Sequence, residues 1–406
     1  MLPAGVGATT TTLEGAFKRN YNEGSEVLIE QQNLQAPFWS KLKVSSLKPS
    51  VQGIWSPVTM SGNEEGGAMT ENEGFATPDS LNPQQPSIYS KLVTWPFQVS
   101  GQVIRLSESD KVAFAKGLDA TMNDNSARMY SDVNRQSLGN GVGIITLANG
   151  AGSPSTSLVV DNALPFRRGM RIDAYATLGG AKEIDGVKIT AVDYPTNTLT
   201  IPSSTWSNNA IICKKNKLAG VTSQANAKEM MGWQGICDTT TWSATFEGLS
   251  VVTNPEWKGN VIDASTSPVS QDFMQQSYNR TAIIGGIKPD TLLSNYGQAR
   301  VFLNTELQKT RYEPGTVEGG NVVLKWGTME WLVDHTYPLA ELGMMSMKHI
   351  EKFQTRDVHL SNLTGNTLYQ VVGFDAIGGY YAWTGNIGTW KRNAHARLIN
   401  LTEPLM

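Results

Sequence analysis

Between two apolar runs, VQGIWSPVTM and IYSKLVTWPFQVSGQVIRL, lies SGNEEGGAMTENEGFATPDSLNPQQP, residues 61–86, a stretch with almost nothing to bury. A structureless loop of about 20 residues is uncommon inside a compact domain, and is usually functional or disordered. The flanking runs, 46–60 and 88–106, alternate as strands do. The chain must therefore fold around a polar arm that leaves and re-enters the body between two strands. The arm's carboxylates, Glu64, Glu65, Glu71 and Glu73, sit among glycines, whereas a catalytic carboxylate needs a rigid, partly desolvated pocket. They read as a solvated or partner-facing charge patch, with Phe75 beside them.

An arm of this kind suits a chain whose surface is covered by neighbours, and the composition agrees. Of 406 residues, 40% are hydrophobic, enough for a core, but only 17% are charged. A free monomer of this size usually carries more charge to stay apart from its copies. Length alone suggests two or three domains. The net charge of −3 argues against a protein that neutralises many DNA phosphates. Cys213 and Cys237 are expected as reduced thiols, since a secreted domain of this size would not depend on one bridge. The start, MLPAGVGATTTTLEG, lacks the charged and apolar regions of a signal peptide, and no apolar stretch is long enough to span a membrane. A cytoplasmic origin follows, and the sequons at Asn279, Asn362 and Asn400 are then chance matches.

Along the chain, GSEVLIEQQNLQAPFW offers Val27, Leu28 and Leu34 but no core of its own. This N-terminal segment is expected to dock elsewhere, anchored by Phe38 and Trp39. Ser107, with Glu108 and Asp110 after it, predicts a helix start. Val112, Ala115, Leu118, Met122, Met129 and Val133 then draw one thin apolar stripe, interrupted by Asn125, up to a stop at Gly139. Such a helix lies across one sheet with its other face open. Residues 152–222 change to short β runs with turn signals at Gly169, Gly179-Gly180, Asp185-Gly186 and Pro195-Thr196-Asn197, the pattern of a small barrel or sandwich inserted in the main fold. A helix over Pro268–Arg280, capped by Ser267 with Pro268 in its first turn, follows. IIGGIKPDTLLS reads as a strand and turn, Tyr296–Thr310 as a helix, and the two runs after 320 as the remaining strands.

Chemistry is sparse. The glycines of LGNGVG, Gly139, Gly141 and Gly143, follow a helix and precede a strand, the reverse of a dinucleotide fingerprint. His335, His349, His359 and His395 show no metal spacing, and two lone cysteines complete no zinc site. No nucleophile elbow occurs. Arg167, Arg168 and Arg171, and Lys214, Lys215 and Lys217, form two small basic clusters at the β insertion, read as exposed or interface charges with too few aromatics for a nucleic-acid platform. No enzyme activity, cofactor or metal is expected.

The order of parts is more telling than any motif. An arm, a long acidic Gly/Pro loop, one long helix, a β insertion, an α/β region and a strand-rich tail succeed one another. RQSLGNGVGIITLANG, LPFRRGMRIDAY, EMMGWQGICD and NPEWKGNVIDASTSPVSQDFMQQSYN mark the joints. The whole chain resembles the major capsid proteins of tailed bacteriophages, the Hong Kong 97-like fold.

That resemblance implies an α+β class and names the parts. Residues 1–45 become an N-terminal arm, and 46–106 peripheral-domain strands carrying an extended loop at about 61–87. Residues 107–151 become the spine helix and its turn, and 152–222 an inserted β domain. Residues 223–285 continue the peripheral domain, 286–370 form the axial domain, and 371–406 return as C-terminal strands. It implies a chain that pairs with itself in hexamers and pentamers of an icosahedral shell enclosing double-stranded DNA without sequence-specific binding. A separate scaffolding protein is expected, since no long N-terminal scaffolding segment is present, together with portal and decoration proteins, and with no membrane. Contacts between subunits are expected at Glu64, Glu65, Glu71, Glu73, Phe75, Phe38, Trp39, Arg167 and Arg168. Some relatives cross-link through Lys and Asn; Lys43 and Lys91 lie near the loop base, but nothing in the sequence builds the pocket that chemistry needs. The rival readings are a tail tube or sheath subunit and a β-rich carbohydrate-binding protein.

Overall fold

The computed structural model describes residues 32–50, 53–101, 111–219, 227–307, 325–362 and 365–402. Val27 and Leu28 of the N-terminal segment and the expected cap at Ser107, Glu108 and Asp110 lie outside these residues. The described chain divides into two compact units, one built from residues within 92–133 and 354–384 with 32–36, the other from residues within 37–91, 134–353 and 385–402.

In the first unit the strand beginning at Ala376 is central, with Tyr369–Gln370, Lys91–Ser100 and Ile350–Leu360 all pairing to it. Phe97 and Tyr381 meet at 5.9 Å between ring centroids, and the Trp383 indole donates to Gln354 Oε1 at 2.9 Å. The helix Lys111–Leu138 lies on this sheet, where the indole N–H of Trp95 donates to Asn125 Oδ1 at 3.2 Å. Asn125, which breaks the apolar stripe, is thus the acceptor that lets a tryptophan pack there. Met129 and Val133 are buried as the stripe predicts. The expected open face is closed further on. The helix's last turn, residues 134–138, belongs to the second unit and is buried there, polar residues included, with Asn134 bonding Asp334 and Thr336 and Arg135 meeting Glu229 at 2.6 Å. Hydrogen-bonded polar groups can be buried where bare ones cannot.

The second unit holds a six-stranded sheet in the order Asn260–Asp263, Ala396–Ile399, Leu342–Met345, Thr291–Ser294, Met329–Val333 and Lys325–Trp326. Leu292, Met344 and Leu398 on one face pack against Met274, Ala299 and Phe302 of the two helices Gln271–Gly285 and Tyr296–Leu307. The first of these helices corrects the sequence reading twice. Its cap is Ser270, whose Oγ accepts the Phe273 N–H, while Ser267 is held in a turn back to Ala264. It also runs through Ile283 and Ile284, expected in a strand, and stops at Gly286 with φ +63°, a left-handed cap that glycine adopts without strain. Of the block 286–370, residues 354–370 cluster with the first unit.

Within the second unit the β insertion pairs its strands in two sheets. One runs Lys182–Lys188, Arg171–Tyr175, Ile211–Lys214, Ile144–Leu147; the other runs Ala191–Asp193, Thr198–Trp206, Gly152–Val159. Phe166, Leu158, Ile172, Leu199 and Ile212 fill the space they enclose. Asp185-Gly186, expected as a turn, is instead a bulge inside a strand. The register slips between Ile184 and Val187, and Gly186 takes φ +59° there.

Candidate assembly interface

The arm rises from a root fixed at many points. Ile54 pairs with Ile88 and Trp55 with Ser87, and Ile54, Ile88 and Phe353 share a small apolar cluster. Ser87 N–H donates to Glu247 O at 2.6 Å, the Trp55 indole to Ser87 Oγ at 2.7 Å, and Asn386 Nδ2 to Tyr89 O at 2.7 Å. Lys91 turns inward and gives its ammonium to Ala227 O at 2.6 Å, and burial pushes its pKa down to about 8. A second short ladder, Val58–Ser61 with Asn82–Gln84, carries the two limbs outward.

Beyond that ladder the chain leaves the body. Every residue from 63 to 83 is exposed. The only order is local. Asn63 Oδ1 accepts the N–H groups of Glu65 and Asp79, and Glu73 accepts the N–H and hydroxyl of Thr70, which holds its carboxyl below the usual range. Phe75 stands 93% exposed, with Leu81 at 61% and Met69 at 45%. Between residues 61 and 86 there are five acidic side chains and no basic one. The structure thus places Glu64, Glu65, Glu71, Glu73 and Phe75 together on one projecting loop. Burying a phenylalanine on another surface contributes roughly 1.5–3 kcal/mol, and none of the described residues of the same subunit supplies that surface.

Phe38 and Trp39 have partners within the chain. They belong to the short helix Pro37–Lys41 and are buried, at 0% and 3%, in their own subunit. The Trp39 N–H donates to Asn134 Oδ1 at 2.9 Å, and the Lys352 ammonium sits 4.6 Å from the Trp39 ring centre. A sequence shows that an aromatic pair is an anchor, but not whose core receives it. Phe38→Ala is expected to cost the unassembled subunit about 3–5 kcal/mol, read as a fall in melting temperature. An unchanged melt with lost assembly would return Phe38 to the interface.

Arg168 is exposed and Arg167 half-buried, both in the turn leading into the strand Arg171–Tyr175. Arg167 lies close enough to Tyr194 and His335 to oppose a proton on His335, whose pKa burial already lowers. Sequence reasoning did not find the buried ionic groups. Arg392 donates to Ile236 O, Asp238 O and Trp257 O at 2.6, 2.5 and 3.2 Å and lies 4.1 Å from the Phe246 ring centre. Burial brings it down to about 10 and holds the neighbouring Glu247 carboxyl well above its usual range.

No catalytic arrangement emerges among the described residues. No three His, Cys, Asp or Glu side chains converge to hold a metal, and no helix is long and apolar enough to cross a membrane. His395 is wholly buried, with Ser346 N–H donating to its Nδ1, and burial pushes it down to about 3. Cys213 and Cys237 are both free and buried, their thiols pushed up to about 12.

Among solved structures the chain is similar to the capsid asymmetric unit of cyanophage A-1(L), with TM-score 0.59 and 10% identity over 95% of this chain and 98% of that one. It carries a phage capsid fold. The capsid subunit of an empty GTA particle aligns with TM-score 0.50 and 7% identity over 96% of this chain and 98% of that one. No protein-family model and no curated protein matches the sequence. The capsid fold is the α+β, Hong Kong 97-like architecture that the order of parts implied, and the likeness runs nearly end to end.

Proposed function

We propose that the chain is the major capsid protein of a tailed double-stranded DNA phage, assembling with its own copies into the hexamers and pentamers of an icosahedral shell. The observation that carries this is the arm, a long loop rooted firmly in a capsid fold and left exposed from 63 to 83 by the described residues. In this reading residues 61–87 are the extended loop, the long helix is the spine of the peripheral domain, the β insertion is an inserted domain, and the six-stranded sheet lies in the axial domain. Heterologous contacts close into rings because the same arm meets the same seat on each neighbour. A separate scaffolding protein, a portal and decoration proteins would act with it. The mild negative charge fits a wall that encloses DNA without gripping it, in a virion assembled in a host cytoplasm.

The aligned solved structures are shells, which leaves the tail-tube and carbohydrate-binding readings with no observation in their favour. Negative-stain microscopy of the purified protein, with and without a co-expressed scaffold, is expected to show closed particles or capsomer rings. Open tubes, or monomers under every condition, would refute the proposal.

A further inference from the structure

At one end of the four-stranded sheet of the β insertion, cations line up across three neighbouring chain segments. Lys188 pairs in register with Arg171, and the Lys215 N–H donates to Arg171 O at 3.0 Å, so Lys188, Arg171 and Lys215 form one rung. Arg171 Nη1 donates to Gly186 O at 2.9 Å, and the Lys215 ammonium lies over the same glycine. Arg168 and Lys217 flank the rung from adjoining turns, Gly169 being tied to Ile189 and Lys217 to Lys214. All five are exposed, and none makes an ion pair among the described residues. The nearby acids are already engaged. Asp173 is buried and accepts Gly186 N–H, Asn216 N–H and Lys182, and Asp185 is bonded to Lys182 while also attracting Lys215 from beyond ion-pair distance. Like charges placed side by side across a sheet repel. This edge therefore gains from an acidic ligand.

We propose that the rung Lys188–Arg171–Lys215, with Arg168 and Lys217, is the seat for the acidic arm of a second copy of this chain. The inference rests on the shell reading and adds to it the surface on which the arm lands. Charge complementarity carries it, since the arm holds Glu64, Glu65, Glu71, Glu73 and Asp79 and no cation. Reach allows it, because a limb of about ten residues spans up to roughly 33 Å when extended. Phosphates of an enclosed nucleic acid are the rival occupant. The arm is favoured because the chain as a whole is negative, −3, and a wall of such subunits repels phosphate.

The test is a charge swap. Arg168→Glu, Lys188→Glu and Lys217→Glu together remove no side-chain hydrogen bond among the described residues, and their melting temperature should match the parent. This triple variant is expected to lower particle yield tenfold or more at physiological salt, and so is an arm carrying Lys at 64, 65, 71 and 73. Both sets combined should recover yield to within a few-fold of the parent. Two impaired singles without recovery would overturn the seat. So would a triple variant that assembles normally yet loses co-purifying nucleic acid, which assigns the rung to phosphate. Independently of particles, a synthetic peptide of residues 61–86 should bind the parent subunit, more weakly as salt rises, and tenfold or more weakly to the triple variant. Equal binding to both, or none to the parent, rejects the seat even where shells form; absence of shells with peptide binding intact rejects the shell reading alone.

Discussion

Replacing residues 62–81 by a two-residue Asn-Gly turn is expected to yield a subunit that folds and melts like the parent and forms no closed particle. The reasoning starts at the root. Ser61 and Asn82 already face each other as the last pair of the outer ladder, so a tight hairpin closes the gap without disturbing the bonds below it. Nothing removed is buried, and the shorter loop lowers the entropy lost on folding. What disappears is the apolar tip and the acidic face. Each arm forgoes roughly 1.5–3 kcal/mol at Phe75 alone, about tenfold or more in the association constant of one contact. A closed shell multiplies that loss over every subunit. Phe75→Ser should therefore raise the concentration needed for assembly about tenfold or more, by light scattering, while leaving the melt unchanged. Normal particles from the shortened chain would show that the arm is ornamental.

The second large effect concerns the interior. Arg392→Met is expected to destabilise the subunit by about 3–5 kcal/mol, the usual result of removing one member of a buried charged network. Three carbonyls, those of Ile236, Asp238 and Trp257, lose their shared donor at once, and Glu247 loses the nearby cation that favours its ionised form. Calorimetry should record a drop of about 4–6 °C. Arg392→Lys should fall between the two, because one ammonium cannot reach three carbonyls as a planar guanidinium does. A Met variant that melts with the parent would mean those carbonyls are satisfied by water instead.

The arm was legible because its signal is local. Glycine, proline and like charge suffice to say that 61–86 build no core. The long helix and the β insertion were legible for the same reason, through period and turn residues. What stayed hidden depends on who the neighbours are. Ser267 and Ser270 both offer a capping hydroxyl, and the choice falls to Ser270 because Ser267 is tied to Ala264. Ile283 and Ile284 before two glycines imitate a strand and turn, yet the helix beneath them had no reason to stop until Gly286. Phe38 and Trp39 announce an anchor without its address. Arg392 and Lys91 resemble surface residues until the fold closes over them. Even the capsid architecture, at 10% identity to the cyanophage subunit, survives in the order of its parts and not in their letters.

One inconspicuous property has practical reach. The chain's two cysteines are sealed inside, and burial holds their thiols protonated, so neither offers a maleimide an accessible thiolate. A thiol introduced at the position of Phe75 would be the sole reactive one, and a dye attached there would report, subunit by subunit, the moment at which each tip passes from solvent to a protected place.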